Sequence, residues 1–233
     1  MKELKTITTV LLYPPTIFSS MTQDYKCVQI LKRHREFIIS LCQLDDGNIV
    51  SGSADGSIYI GDFVIPYAHD AEVMKVLPLP NNRLVSCTLD CTIKVWKSDP
   101  PYSDTPLKTL FLSNPFYTSL LYIKERDLLV SGSFDIYLRF WNMSTYQCVS
   151  SIYPVSCRYT NCLYQIDSER IIVGFDKMFY VVNMDTCTIE KWVKVKKELG
   201  GILCFEKLKD NKTIVCGCQN GAFLFYDKET HVR

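Results

Sequence analysis

At 233 residues, 47% of them hydrophobic and 22% charged, the chain is long enough to bury a core and too apolar for disorder. Its 26 basic and 25 acidic residues leave a net charge of +1, which excludes recognition of nucleic acid or an acidic membrane through bulk charge. No apolar run approaches the roughly 20 residues needed to span a bilayer, so no membrane insertion is expected.

The N-terminus, "MKELKTITTVLLYPP", loosely resembles a signal peptide, but its apolar part is short, threonine-rich and broken by Pro14 and Pro15. "TITTVLLYPPTIFSS" (6–20) reads instead as two strands, and "KCVQIL" follows from Lys26. From there one pattern recurs: a strand, an apolar run, a small polar turn, a second run and an aromatic–polar ending. "FIISLCQL" leads into "NIVSGSADGSIYIGDF" from Asn48, "EVMKVLPL" into "RLVSCTLDCTIKVWK" from Arg83, and "YTSLLYI" into "LLVSGSFDIYLRFWN" from Leu128. Two diverged copies follow, "IIVGFDKMFYVVN" from Ile171 and "TIVCGCQNGAFLFYD" from Thr213. The halves alternate apolar and polar residues with strand period, and no stretch has a helical one.

The turn residues Asp55, Asp90, Asp135, Asp176 and Asn220 mark the copies, with gaps of 35, 45, 41 and 44 residues (90−55, 135−90, 176−135, 220−176). That period is the length of a four-stranded propeller blade. The Pro-rich "KSDPPYSDTPL" after Trp96 is a surface loop, and the separation of seven positions from Asp62 to His69 leaves room only for a very short fourth strand in the first copy.

These copies resemble the WD-repeat β-propeller family over about Cys27 to Asp227. The resemblance implies an all-β propeller of antiparallel four-stranded blades, five of them recognisable: about 27–63, 64–97, 107–142, 148–183 and 187–227. It also implies a buried hydrogen-bonded set of histidine, strand-b Ser or Thr, turn Asp and strand-c Trp. His69, Ser86, Asp90 and Trp96 match the whole set. The first copy has His34, Ser51 and Asp55, with Gly61 in place of tryptophan. The third has Ser131, Asp135 and Trp141, with Asn114 in the histidine place; 55−34, 90−69 and 135−114 are each 21. A recurring His–Ser–Asp group at scaffold spacing, without a nucleophile turn or oxyanion signal, reads as structural rather than catalytic.

"KCVQIL", "QCVSSI" and "CTIEKWVKV" fit the family's outer strand, placing Cys27, Cys148 and Cys187 alike. Two closures stay open. "KCVQIL" can complete a fifth blade, or residues 1–26 form a degenerate partial blade of an incomplete propeller. The eleven cysteines lack zinc spacing: Cys216 and Cys218 are two apart, and Cys87 and Cys91 are four apart with no histidine pair nearby. They read as small buried hydrophobes in a reducing compartment, cytoplasmic or nuclear, with no metal and no cofactor. Asn142 and Asn211 match the glycosylation pattern, which carries little weight without a secretory signal.

Family members bind peptides and proteins on the narrow top face of the propeller, around the channel mouth. Carried over, the contact positions are Phe37, Ile39 and Ala54; Glu72, Met74 and Leu89; Tyr117, Ser119 and Phe134; Tyr159, Asn161 and Phe175; and Gln219, with Gly200, Gly201 and Ile202 nearby. The set predicts a continuous aromatic-rich rim and a non-catalytic scaffold for protein partners in a multiprotein complex. Lys191, Lys194, Lys196 and Lys197 around Trp192 suit an outer strand with lysines outward. Two alternatives remain: a propeller hydrolase or lyase with its site at the channel mouth, and a degenerate fragment of a longer propeller. The first would need converging ionisable groups, yet only Glu72 among the rim positions is ionisable. Of three histidines, two fill structural places and His231 is at the end.

Overall fold

The computed structural model describes residues 30–112, 116–153, 160–210 and 212–227. The expected partial blade at 1–26, Cys27, Asn114, Tyr159, Asn211 and His231 lie outside them. Five antiparallel sheets follow one another along the chain. The first holds β1 (Ile38–Gln43), β2 (Ile49–Ser53), β3 (Ile58–Ile60) and β4 (Phe63–Ile65). The second holds β5 (Val73–Leu79), β6 (Arg83–Thr88), β7 (Thr92–Lys97) and β8 (Lys108–Phe111). The third holds β9 (Tyr117–Ile123), β10 (Leu128–Ser133), β11 (Leu138–Asn142) and β12 (Gln147–Ile152). The fourth comprises β13 (Cys162–Gln165), β14 (Arg170–Gly174), β15 (Met178–Asn183) and β16 (Thr188–Lys194). The fifth, three-stranded among the described residues, comprises β17 (Ile202–Lys207), β18 (Thr213–Cys218) and β19 (Phe223–Asp227). Each pairs strictly in sequence order, as blades of a β-propeller do.

The blades stack through their inner strands: β1 packs on β5, β5 on β9, β9 on β13 and β13 on β17. Between them lie four apolar cores. Val50, Ile58 and Ile60 of the first blade meet Val76, Leu84 and Trp96 of the second. Val85, Ile93 and Val95 meet Leu120, Leu129 and Trp141 of the third. Val130, Leu138 and Phe140 meet Ile171, Val173 and Val182 of the fourth, whose Ile172, Phe179 and Val181 meet Phe205, Ile214 and Tyr226. The strands are thus apolar on both faces, each face serving a different core. Close stacking needs a small residue on the second strand. A Cβ built on Gly52 would lie 2.5 Å from Val73 Cγ1.

The first blade's fourth strand is only three residues long, as the short connection to His69 requires. The outer strand β16 alternates as expected, but Trp192 points outward with Lys194 and is 62% exposed. Cysteines follow the buried reading only in part: Cys87, Cys216 and Cys218 are buried, whereas Cys148 and Cys204 are exposed. Burial pushes the Cys42 and Cys216 thiols up to about 12, so neither is a thiolate near neutral pH.

The turns between second and third strands place one residue in the left-handed region: Gly56, Cys91, Ile136 and Gly221, with φ between 71° and 88°. Glycine accepts that conformation, whereas β-branched Ile136 does so under strain. Ile136→Gly should therefore stabilise the chain by about 1 kcal/mol, read as a higher urea midpoint.

Candidate partner-binding face

Antiparallel pairing puts the start of each first strand beside the end of the second. The turn residues and the segments entering β1, β5, β9 and β17 therefore share one end of the blades. Side-chain networks fix that end. In the second blade Trp96 Nε1 donates to Ser86 Oγ at 2.8 Å, and Ser86 Oγ lies 2.7 Å from His69 Nε2. His69 Nδ1 lies 3.1 Å from Asp90, which also accepts from the amides of Asp70 and Thr92. His34 repeats this against Ser51 at 2.7 Å, while Ser57 joins it to Asp55.

The Ser–His–Asp geometry resembles a hydrolytic triad, but access is missing. Ser86 has no exposed surface, its Oγ accepts the indole N–H, and Trp96 is itself buried. No substrate carbonyl reaches that oxygen, so the set acts as a brace for the turn. Asp90→Ala should lower stability by about 1–3 kcal/mol in chemical unfolding, because His69 and two amides lose their acceptor.

Protonation of this brace has a definite sign. Burial lowers the pKa of both His34 and His69 below 6.5, outweighing the adjacent carboxylates. For Asp55 and Asp90 burial acts upward, but hydrogen bonds from Ser57 and the Arg35 amide, or from His69 and Thr92, leave both below the ordinary carboxylate range. The unfolded chain therefore binds more protons than the folded one under acid conditions. The histidine contribution is complete above about pH 6.5 and is lost as pH falls below it; the carboxylate contribution follows below about pH 4. Urea midpoints should decline from pH 7 to pH 5, and less steeply in His34→Gln/His69→Gln; an unchanged slope would assign the decline to other groups.

The third blade keeps Trp141 Nε1 on Ser131 Oγ at 2.9 Å, and here Arg139 holds the turn carboxylate. Its guanidinium pairs with Asp135 through both nitrogens and reaches Ser133 Oγ at 3.1 Å. Arg139 is only 8% exposed and packs over the Tyr137 ring. The sequence reading missed it. An arginine at an inward strand position, four residues after the turn Asp, was the available signal.

Two rim assignments are corrected by register. Leu41 pairs with Ser51 and Val76 with Ser86, ten residues on, but Leu120 pairs with Ser131, eleven on. The third blade's first hairpin carries one extra residue, taken up in the 3-10 turn Lys124–Arg126 and left-handed Asp127. Counting back from Asp135 therefore lands one position late. The amide of Ala54 bonds the carbonyl of Phe37, and the amide of Phe134 bonds that of Phe116. Phe116, not Tyr117, is the counterpart of Phe37. Tyr117 is fully buried beside Trp141, and Ser119 is buried as well.

Phe175 fails for the opposite reason. Gly132 pairs with Leu138, six residues on, but Gly174 pairs with Phe179, five on. The fourth blade's turn is one residue shorter, so Phe175 takes the inward place held by Ser133 and packs edge-on against Tyr180, with no exposed surface. The predicted rim is thus not continuous. Phe37 is 69% exposed, and Phe134 is 43% exposed with Phe116 edge-to-face at 6.4 Å. Gln219 is exposed; Ile39, Ala54, Glu72, Leu89 and Asn161 are partly buried, and Met74 leans on the core between the second and third blades. Among the described residues no group of histidine, cysteine or carboxylate side chains is arranged to hold a metal ion.

Residues 25–62 and 63–97 match the WD domain, G-beta repeat. The chain is 33% identical to nuclear distribution protein nudF of Aspergillus flavus, an alignment covering 44% of this chain and 24% of nudF. It is 31% identical to WD repeat-containing protein pop2 of Schizosaccharomyces pombe, over 58% of this chain and 24% of pop2. It is 30% identical to mouse pre-mRNA-processing factor 17, over 33% of this chain and 13% of that protein. The alignments thus span a quarter or less of these relatives.

Proposed function

We propose that this chain, which carries WD repeats and folds as a β-propeller of about five blades, is a non-catalytic scaffold that holds a protein partner on the turn-bearing end of its blades. The observation that carries the reading is the exposed aromatic set of Phe37, Phe116 and Phe134 at the corrected positions. Aromatic rings offer large contact area at small entropic loss, and they are over-represented among residues that dominate binding energy. The turn carboxylates Asp55, Asp90 and Asp135 are already committed to internal hydrogen bonds, which leaves the face poor in groups for acid–base chemistry. The ligand this surface suits is a peptide segment with apolar or aromatic side chains. The relatives' names, a nuclear distribution protein and a pre-mRNA-processing factor, are compatible with work in cytoplasmic or nuclear assemblies. Affinity capture with the wild-type chain and with Phe37→Asp/Phe134→Asp tests this. Partners should be lost with the double variant, and undiminished capture by a folded variant overturns the proposal.

A further inference from the structure

The first blade ends the row, and the face it turns away from the second blade is apolar. In every later blade that same face meets the blade before it. Ile49 corresponds by register to Leu84, Leu129, Ile171 and Ile214, each of which has no exposed surface, whereas Ile49 is 52% exposed. Leu41 corresponds to Val76, Leu120 and Phe205, all buried, yet is 55% exposed. Gly61 stands beside Ile49 where Trp96, Trp141, Val182 and Tyr226 plug the later interfaces. Among the described residues, the face has the residues of a blade interface without a blade against it.

We propose that residues 6–29 of this chain cover this face, folding back on it as strands. The chain leaves the described structure from this very surface. Ser51 and Tyr59 share it with Leu41 and Ile49, and Tyr59 Oη donates to the Arg33 carbonyl at 2.9 Å, while His34 Nε2 sits 2.7 Å from Ser51 Oγ. Directly upstream, Ile30 and Leu31 are 75% and 55% exposed, continuing the apolar character toward residue 29. The preceding residues have strand-patterned apolar runs, "TITTVLLY" and "TIF", followed by "CVQI". Twenty-four residues suffice for about three strands of five or six residues, enough to overlay β1, β2 and β3. A segment tethered at Arg33 meets the face at roughly millimolar effective concentration, ahead of any free competitor. The other open face, Phe223 at 69% and Phe225 at 55% exposed on β19, lies at the far end of the row. The inference is independent of the partner-face reading, because Leu41 and Ile49 belong to an inter-blade surface and not to the turn-bearing end.

Hydrogen exchange on the full chain reads this directly. Amides in residues 6–29 should exchange at least about tenfold slower than their intrinsic rates. Leu41→Glu/Ile49→Glu should abolish that protection while β5–β7 stay protected, and Phe223→Glu/Phe225→Glu should leave it unchanged. Exchange of 6–29 at intrinsic rates in the wild type overturns the proposal, as does protection that survives Leu41→Glu/Ile49→Glu. A photo-crosslinking residue at Leu41 gives a second measurement that needs no destabilising charge. Crosslinks to peptides from residues 6–29 of the same monomer are expected. Crosslinks that join two chains, with a dimer by light scattering, would give the face to a second copy instead.

Discussion

Trp96→Ala is expected to destabilise the protein by about 3–5 kcal/mol in urea unfolding. Trp96 is 1% exposed and lies on the face of the second blade that meets the first, among Val50, Ile58, Ile60 and Leu84. Truncation would remove that contact area and leave a void between two sheets whose backbones cannot close on it, since the strand pairings within each sheet hold their spacing. It would also strip Ser86 Oγ of its indole donor, while His69 loses its edge-on aromatic neighbour at 6.0 Å. Trp96→Phe separates the two effects. It keeps most of the apolar volume and loses the hydrogen bond, and should cost about 1–2 kcal/mol. Trp192→Ala provides the contrast. With that side chain 62% exposed on an outer strand, the change should stay within about 0.5 kcal/mol. A Trp96→Ala loss no larger than that of Trp192→Ala would mean that the blades are not held together at this interface.

The same residue shows what was legible in the sequence. Its partners His69, Ser86 and Asp90 could be placed through the family resemblance, because a strand-b serine, a turn aspartate and a histidine 21 residues before it are short-range features that match the family's set. The blades were legible for that reason too: strand periodicity and turn residues are short-range signals, and five copies at one period reinforce each other. What spacing could not supply was the count inside a hairpin. The extra residue near Asp127 and the missing one after Phe175 each shift the chain by one position, and in a strand one position exchanges the inward and outward faces. Tyr117 and Phe175 went from rim to core, and Phe116 from unremarked to exposed. Arg139 holds the turn carboxylate Asp135 through a long side chain from the third strand, a contact that no fixed offset predicts. Gly61 carried a signal that only the structure made readable: the place filled by Trp96, Trp141, Val182 and Tyr226 in the later blades has no side chain in the one blade with no described blade before it.

Phe37→Asp combined with Phe134→Asp should weaken partner binding by about 3 kcal/mol, more than a hundredfold, while leaving the fold intact. Both rings are substantially exposed, so their replacement removes little core contact, and the stability change should remain near 0.5 kcal/mol for each. A carboxylate in place of either ring does two things at an interface. It deletes the apolar area that would be buried, and it forces a charge to be desolvated without a counter-ion. Phe134→Asp also removes the edge-to-face support of Phe116, so that ring loses its fixed orientation. The corresponding change at Tyr117 would be uninformative, because that side chain is fully buried and an aspartate there would act through unfolding. Trp192→Asp is the matched control: an aromatic whose exposure lies between those of Phe134 and Phe37, changed to the same residue, on the outer strand of the fourth blade. Binding lost with the double variant and kept with Trp192→Asp would locate recognition at the turn-bearing end. Equal losses from both would mean that recognition follows exposed aromatic surface generally and not the face built by the blade turns.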